Sequence, residues 1–292
     1  MSQTPRHIAI AGATGAVGVE LMQCLEQRNF PISKLTLLAS ARSAGKKMTF
    51  RGEEGEVQEL TPDSFEGVDI ALFSAGGGIS KEFAPHAVKA GAIVVDNSSA
   101  FRLDEGTPLV VPEVNGEDTQ NNNGIIANPN CTTIISLMAL NPLHKAFGGV
   151  KSIIASSYQA VSGSGAQGLA ELENQVNAIA KGDPLPERNV TCVRVPVFRS
   201  HAVSITAVFN DKPSVEAARE AIAAAPGVQV KDDPFAESPQ FPTPLDCTNG
   251  DDCLVGRIRE DLVLDNALTF WVVGDQVRKG AALNAVQIAE LL

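Results

Sequence analysis

Cys131 has the surroundings that point most directly to covalent chemistry. It stands in "IIANPNCTTII", residues 125–135, after a strand-like apolar segment and at the start of a helix-like one. The positive end of a helix dipole and the N–H groups of a first helical turn stabilise a thiolate there. Pro129 and Asn130 are consistent with a helix start. The sequence therefore predicts that Cys131 is a nucleophile.

A nucleophilic cysteine needs a base, and the chain has four histidines. His7 starts the first predicted strand, whereas His86 and His144 lie on predicted helices, where histidines are more often surface or capping residues. His201 heads a predicted strand and follows Arg194 by seven residues. A bend between these two residues would bring them to a common site, so His201 is the candidate base.

A glycine-rich turn near the start of the chain indicates a nucleotide site. "IAIAGATGAVGVEL" places Gly12, Gly15 and Gly18 between a strand and a helix. There the first glycine permits a tight turn, the next lets the backbone approach a pyrophosphate, and the helix N-terminus offers N–H donors. The spacing is G-x-x-G-x-x-G, not G-x-G-x-x-G, and such glycines can also serve packing alone. The surrounding alternation of strands and helices favours the nucleotide site.

The end of the second predicted strand bears on cofactor choice. An NAD-specific site usually has an acidic residue there, whereas this chain has "ASARSAGKK". Ser40, Arg42 and Ser43 are suited to a 2′-phosphate, which predicts NADP. The alternative is that Arg42 is an ordinary surface arginine.

Composition excludes several classes of protein. The 292 residues suit two ordinary domains or one large one, and 34 acidic against 23 basic residues give a net charge of −11. The absence of a basic block argues against nucleic-acid binding. No apolar run approaches the roughly 20 residues that span a bilayer, and the N-terminus lacks a signal peptide's pattern, so we expect a cytoplasmic protein.

Cysteine spacing gives no sign of a metal site or a disulfide framework. The five cysteines are an odd number and lack CxxC or Cys/His zinc spacing, so reduced thiols and no bound metal are expected. Apart from Cys131, they are predicted to be small core residues: Cys24, Cys192, Cys247 and Cys253.

The chain predicts an α/β protein with two kinds of architecture. Strand-like and helix-like segments alternate up to Cys131, which indicates a Rossmann-like parallel sheet with right-handed crossovers. The second half reads as an α+β domain with a mainly antiparallel sheet, including a close strand pair at residues 191–197 and 201–209. Residues 182–189 form the clearest loop. The last segment is an amphipathic helix that could return to the first domain.

Several separated motifs together resemble the aspartate-semialdehyde dehydrogenase family. They are "GATGAVG", "SAGGG", "NSSAFR", "VVPEVN", "NPNCTT", "YQAVSGSG", "CVRVPVFRSHA", "LVGRIRED" and "KGAALNAVQIAELL". The resemblance covers nearly the whole chain. It implies a Rossmann NADP-binding domain (1–131 and 275–292), an α+β catalytic and dimerisation domain (132–274), and a homodimer. The implied reaction reduces β-aspartyl phosphate with NADPH to aspartate semialdehyde and phosphate, on the route to lysine, threonine and methionine.

The resemblance also implies roles for individual residues. Cys131 would attack the acyl phosphate to form a thioester, His201 would serve as acid and base, and Gln159 would orient the intermediate. Arg194 would bind the substrate carboxylate, and Arg102 with Asn130 the phosphate; without the motifs, either arginine could be in a surface ion pair. The implied cofactor-binding residues are Gly12, Thr14, Gly15, Ala16, Val17, Ser40, Arg42, Ser43, Ser74, Gly76, Gly163 and Gln276. Gly163 and Gly165 are also suited to shaping a turn near the site.

Two departures from the family keep alternatives open. Family members carry several tens of further residues, including a Glu/Lys pair, where this chain has only "GDPLPERNV". Gln276 replaces the usual asparagine near the nicotinamide. An N-acetyl-glutamyl-phosphate reductase is a second interpretation, although that family typically has "NPGC" where this chain has "NPNC". A non-catalytic NADP-binding homologue is the third.

Overall fold

A computed structural model describes residues 4–181, 194–236 and 240–292. The chain divides into two compact units, Met1–Asn130 with Ala281–Leu292, and Cys131–Gly280. Compared with the predicted domain bounds, Cys131 and residues 275–280 fall in the second unit. The predicted loop at 182–189 and Cys192 lie outside the described residues.

The helices and strands follow the predicted alternation. In chain order they are β1 (Arg6–Ala11), α1 (Ala16–Gln27), β2 (Ile32–Ala39), β3 (Lys47–Phe50), β4 (Glu53–Glu56), β5 (Gln58–Glu59), β6 (Ile70–Phe73), α2 (Gly77–Lys89), β7 (Ile93–Asp96), α3 (Pro112–Asn115), β8 (Ile125–Ala127), α4 (Cys131–Ala146), β9 (Val150–Ala160), α5 (Ala166–Lys181), β10 (Arg194–Val195), β11 (His201–Phe209), α6 (Val215–Ala223), β12 (Val228–Val230), α7 (Pro244–Cys247), β13 (Cys253–Glu260), β14 (Ala267–Gly274) and α8 (Leu283–Glu290).

The first unit is built on a parallel sheet with the strand order β5-β2-β1-β6-β7-β8. Its central strands are continuous buried runs, as expected for a sheet covered by helices on both faces. The order reverses between β1 and β6, which is the arrangement of doubly wound dinucleotide-binding folds. The predicted Rossmann-like sheet is confirmed.

Helix α8 belongs to the first unit although it ends the chain. Leu283, Ala285, Val286 and Ile288 pack in the same core cluster as Leu21 of α1. The apolar stripe predicted for this helix is therefore buried.

The second unit contains a mixed sheet with the order β10-β9-β11-β14-β13-β12. Its three central pairings are antiparallel and the two at its edges are parallel. The expected pairing of residues 191–197 with 201–209 is wrong for the described part, Arg194–Val195, because β9 lies between β10 and β11. The short connection between these strands passes across the end of β9.

Within the described ranges, no helix combines the length and apolar character needed to cross a membrane.

Candidate active site

The glycine turn after β1 lies at the point where the strand order of the first sheet reverses. Gly12 has φ +92°, and a Cβ added to it would lie 2.5 Å from the backbone oxygen of Ser74, which follows β6. A Cβ on Gly18 would lie 2.2 Å from the carbonyl oxygen of Gly12. The first and third glycines are therefore required by close packing of the backbone.

Gly15 has a different environment from the other two glycines. Its nearest neighbour to an added Cβ is the Gly12 oxygen at 3.3 Å, and it precedes α1, whose N-terminus no described side chain caps. An uncapped helix N-terminus beside a glycine turn presents N–H donors to an anion. These features fit the diphosphate of a dinucleotide.

Gly12→Ala is expected to destabilise the protein by at least about 2 kcal/mol, because the substitution combines an unfavourable φ with a backbone clash. Gly15→Ala should change the free energy of unfolding by less than about 1 kcal/mol, since Gly15 has an extended backbone and more room. Urea denaturation followed by circular dichroism measures both. Equal losses would show that the two glycines have the same structural role.

The residues predicted to bind the 2′-phosphate lie beside this turn. Ser40 follows β2, and Ala41–Ser43 form a 3-10 turn on which Arg42 is exposed. The Thr14 hydroxyl lies 3.5 Å from that of Ser43. Ser74 and Gly76 follow β6 at the same edge of the sheet, and Gly76, with φ +92°, precedes α2.

Two of the predicted cofactor residues differ in the use of their side chains. Val17 packs against the first unit's core, whereas Ala16 is exposed at the start of α1. The side chain of Val17 is therefore used in core packing, so Val17 would contact a ligand through its backbone, whereas the side chain of Ala16 is exposed.

Arg102 is hydrogen-bonded to backbone carbonyl groups of the first unit. Its guanidinium donates to the carbonyl oxygens of Asn128 (2.9 Å), Asn97 (2.9 Å) and Pro129 (3.3 Å). These contacts join the ends of β7 and β8, just before Asn130, which is exposed. Arg102 therefore fixes the segment that leads into Cys131, a role that the sequence analysis did not assign to it.

A buried amide network supports the same segment and was also missed. The side chain of Asn128 donates to that of Asn97 at 2.8 Å and accepts from that of Asn284, on α8, at 2.6 Å. Asn284 also donates to the carbonyl oxygen of Val110 at 3.0 Å. A polar residue within the apolar stripe of the last helix was the available signal.

In the second unit, Cys131 is the first residue of α4 and is half-buried. A Cβ on Gly280 would lie 2.9 Å from the Cβ of Cys131, so Gly280 leaves room for the nucleophile. The other described thiols, Cys24, Cys247 and Cys253, are buried. Burial raises the pKa of the Cys247 thiol to about 12. Cys131 therefore differs in burial from the three other cysteines that the structure describes.

Gln159 connects β9 to the start of α4. Its side-chain Nε2 donates to the hydroxyl of Thr132 at 2.6 Å, next to Cys131 in the chain. Gln159 is also the register partner of Arg194 in the parallel β9–β10 pair. The predicted amide residue thus lies between the nucleophile's helix and the predicted carboxylate-binding arginine.

Ala160 joins Arg194 and His201 through its backbone. Arg194 Nη1 donates to the Ala160 carbonyl oxygen at 2.8 Å, and the Ala160 N–H donates to His201 Nδ1 at 3.0 Å. A Cβ on Gly163 would lie 3.0 Å from Arg194 Nη1 and 3.2 Å from His201 Nε2. The missing side chain of Gly163 therefore leaves space beside both groups.

Two buried donors point to a ligand at this place. Arg194 Nε and His201 Nε2 are buried and have no hydrogen-bond partner among the described residues. Such atoms are rare in folded proteins because leaving them unsatisfied costs free energy. A substrate with acceptor oxygens would satisfy them.

The protonation of His201 follows from its surroundings. Burial, and then the positive charge of Arg194, lower the pKa of His201 to about 4, although the Ser200 backbone and Asp275 oppose that shift. The ring is therefore neutral near pH 7. Because Nδ1 accepts a hydrogen bond from Ala160, the single ring proton lies on Nε2. His201 thus presents an N–H donor to the space beside Gly163.

Gln276 was predicted to contact the cofactor. It is buried, and its side-chain amide is hydrogen-bonded to Ser162 and Ser200, which directly precede Gly163 and His201 in the chain.

Across the part of the chain that the structure describes, no cluster of three or more His, Cys, Asp or Glu side chains could hold a metal ion.

Comparison with known proteins identifies the family. Residues 7–122 match the sequence model of the semialdehyde dehydrogenase NAD-binding domain, and residues 140–190 and 182–279 match that of the dimerisation domain. The aspartate-semialdehyde dehydrogenase of Bacillus subtilis (strain 168) is 45% identical over 338 aligned positions, which cover 98% of this chain and 97% of the relative. The chain belongs to the aspartate-semialdehyde dehydrogenase family. It is therefore an oxidoreductase of the aldehyde and acyl-phosphate type.

Solved structures of the family have the same fold. Aspartate semialdehyde dehydrogenase II from Vibrio cholerae, complexed with ASA, is 38% identical, with a TM-score of 0.93 and coverage of 100% of this chain and 98% of that one. The enzyme from Candida albicans, with NADP, is 27% identical, with a TM-score of 0.76 and 98% coverage of each chain.

The family comparison also bears on the short connection after α5. The alignment with the Bacillus relative has 338 positions, more than the 292 residues of this chain, so some residues of the relative have no counterpart here. The two matches to the dimerisation-domain model meet at residues 182–190. Both observations agree with the shortened segment inferred from the sequence.

Proposed function

We propose that this protein is an NADP-dependent aspartate-semialdehyde dehydrogenase that converts β-aspartyl phosphate to aspartate semialdehyde and phosphate through a thioester on Cys131. The observation that carries this proposal is a pair of buried donors without a partner among the described residues, Arg194 Nε and His201 Nε2, on two side chains that both border Gly163. They suit a substrate that has both a carboxylate and a carbonyl oxygen that becomes negatively charged.

Cys131 and His201 have distinct tasks in the proposed reaction. The Cys131 thiolate attacks the acyl carbon, the bond from that carbon to the phosphate oxygen breaks, and phosphate leaves. NADPH, when bound, supplies the hydride that reduces the acyl group. Collapse of the resulting oxyanion breaks the C–S bond and returns Cys131 as a thiolate, so the cycle needs no proton from His201. His201 Nε2–H stabilises the oxyanion as a hydrogen-bond donor.

Arg194 is assigned the substrate carboxylate. Its Nη1 is held by the Ala160 carbonyl, which fixes the guanidinium plane and leaves Nε to donate to the ligand. A planar guanidinium with one nitrogen already anchored orients a carboxylate better than a flexible ammonium group. We assign phosphate binding to Arg102 and Asn130, as the family resemblance implies.

The cofactor is assigned to the first unit. The glycine turn and the N-terminus of α1 would hold the diphosphate, and the turn at Ser40, Arg42 and Ser43 would hold the 2′-phosphate. The exposed position of Arg42 supports this assignment, since its guanidinium is accessible to a ligand.

Arg42→Ala is expected to weaken NADP binding by about 10-fold or more, because it removes a charged hydrogen bond to the 2′-phosphate. NAD binding should be almost unchanged. Titration of protein fluorescence with each cofactor measures both constants, with Lys46→Ala as the control for general loss of positive charge. Equal losses for the two cofactors in Arg42→Ala would assign Arg42 to the shared part of the nucleotide or to folding.

The deciding experiment for the whole proposal is a spectrophotometric assay in the reverse direction. Aspartate semialdehyde, phosphate and NADP should give NADPH, which is followed by the absorbance of reduced nicotinamide, and omission of phosphate should stop the reaction. NADP binding without turnover would favour a non-catalytic homologue. Turnover of the N-acetyl-glutamyl substrate alone would favour the second enzyme interpretation.

We also propose a cytoplasmic homodimer. The match to a dimerisation domain and the exposed surface of β9 support it: Ile153 and Ile154, which point to opposite faces of the sheet, are 48% and 64% exposed. Apolar side chains exposed on both faces of a strand are typical of a surface that a second chain covers.

A further inference from the structure

We infer that Gln276 is a positioning residue for His201, which it holds through Ser200 and Ser162. This inference rests on the proposed role of His201 as the oxyanion donor. The Gln276 amide then bonds with other groups of the protein, whereas the family resemblance places this residue at the nicotinamide.

The amide of Gln276 joins two separate segments. Its Oε1 accepts from the backbone N–H of Ser200 at 2.5 Å, and its Nε2 donates to Ser162 Oγ at 2.7 Å. The Ser162 hydroxyl in turn donates to the carbonyl oxygen of Phe198. Gln276 is 3% exposed, so water does not compete effectively for these bonds.

The two segments are those that surround the imidazole. Ser200 has φ +74°, a conformation that residues other than glycine rarely adopt, and it directly precedes His201. Ser162 directly precedes Gly163, whose Cα faces His201 Nε2 closely enough that an added Cβ would lie 3.2 Å away. The amide therefore fixes the backbone before His201 and the turn beside its reactive nitrogen.

The backbone of Gln276 is itself anchored. The neighbouring Asp275 carboxylate is fully buried and accepts from Asn249 N–H at 2.8 Å and Val277 N–H at 2.9 Å, and it pairs with Arg199 at 2.9 Å. With the main chain held, the length of the side chain decides where its amide lies. Asparagine, shorter by one C–C bond of about 1.5 Å, would not reach both serines.

The same turn also borders the nucleophile. An alanine Cβ at Gly280 would lie 3.4 Å from the Cβ of Gln276 and 2.9 Å from that of Cys131. Residues 275–280 thus contact the surroundings of both His201 and Cys131: the Asp275 carboxylate pairs with Arg199, and the Gln276 amide bonds with Ser200 and Ser162.

Gln276→Met tests the inference, because methionine has a similar length and volume but cannot replace the amide hydrogen bonds. We expect kcat in the phosphate-dependent assay to fall by about 10²-fold, as small misplacements of catalytic groups do. The dissociation constant of NADP should stay within about twofold. Gln276→Asn should resemble Gln276→Met. The control is Thr206→Val on β11, which removes the Thr206–Thr269 hydrogen bond (2.8 Å) and should leave kcat within about twofold.

Nitrogen-15 NMR of the histidine side chains supplies a readout independent of turnover. The wild type should show His201 as a neutral ring protonated at Nε2, and Gln276→Met should show mixed tautomers and a higher His201 pKa. Ser162→Ala, which removes one partner of the amide, covers the case in which Gln276→Met does not fold. Its effect on kcat should not add to that of Gln276→Asn.

Each outcome decides one point. Weaker NADP binding with unchanged His201 spectra would overturn the inference and assign Gln276 to the cofactor. Unchanged kcat and spectra in Gln276→Met would overturn it as well. If the wild type has no activity, the proposed function fails, whereas the NMR comparison still tests whether Gln276 positions His201.

Discussion

Cys131→Ser is expected to abolish turnover while leaving NADP binding nearly intact. Serine places a hydroxyl where the thiol was, but a hydroxyl is far less ionised than a thiol near neutral pH and is a poorer nucleophile. The change keeps the Cβ that packs against Gly280, so the start of α4 should not move. Activity in the phosphate-dependent assay and cofactor titration by fluorescence measure the two effects.

Cys247→Ser is the matched control for this substitution. Cys247 is buried and its Sγ donates to the Val273 carbonyl at 3.3 Å, a bond that a serine hydroxyl can also make. This variant should keep its activity even if it is less stable. If Cys131→Ser retained more than a few per cent of wild-type activity, Cys131 would not be the nucleophile.

The sequence predicted those parts of the molecule that depend on local pattern. The glycine turn was identifiable because Gly12 and Gly18 fill positions where any Cβ would meet backbone. The position of Cys131 was identifiable because a strand, a Pro-Asn step and an apolar helix follow one another directly. The Rossmann-like sheet followed from the alternation of elements, since parallel strands require crossovers.

The parts that were missed depend on contacts between distant segments. Nothing in the sequence around Gln276 indicates that its amide reaches Ser162 and Ser200, which lie 114 and 76 positions away. The hairpin of β3 and β4 turns at Arg51 and Gly52, both with positive φ. Arginine is not typical of such turns, which are usually Asn-Gly or Asp-Gly, so the pattern gave no signal.

The wrong prediction that these two strands pair with each other, residues 191–197 with 201–209, has a similar cause. The segments at 191–197 and 201–209 are close in the sequence, and closeness usually favours a hairpin. Pairing of β10 with β9 instead places Arg194 opposite Gln159 and Val195 opposite Ala160. That register brings the Arg194 guanidinium to the Ala160 carbonyl, so the departure from the simple hairpin is what assembles the candidate site.

His201→Ala is expected to lower kcat by about 10²- to 10³-fold, the usual cost of removing one oxyanion donor. His201→Gln should lose much less, because the glutamine side chain can place an N–H near the position of Nε2 without taking part in proton transfer. This difference separates the two possible roles of the histidine. If His201 had to accept and return a proton, glutamine would be as inactive as alanine, and equal activities of the two variants would contradict the donor role.

The pH dependence of the wild type provides the second arm of this prediction. Because burial and Arg194 lower the pKa of His201 to about 4, against the opposing effect of Asp275, kcat should show no step between about pH 5 and 8 from this ring.

The free energy of unfolding should instead depend on pH in the acidic range, between the pKa values of His201 in the folded and unfolded chains. His201 has its ordinary pKa of 6.5 in the unfolded chain and a pKa of about 4 in the folded chain, so its contribution to the free energy of unfolding is complete above about pH 6.5 and decreases as the pH falls toward 4. Urea denaturation between pH 4 and 7 should show a shallower loss for His201→Gln than for the wild type, because glutamine takes up no proton in either state. Equal pH slopes for the two proteins would mean that the ring is protonated alike in the folded and unfolded chains, and would contradict the lowered pKa of His201 in the folded protein.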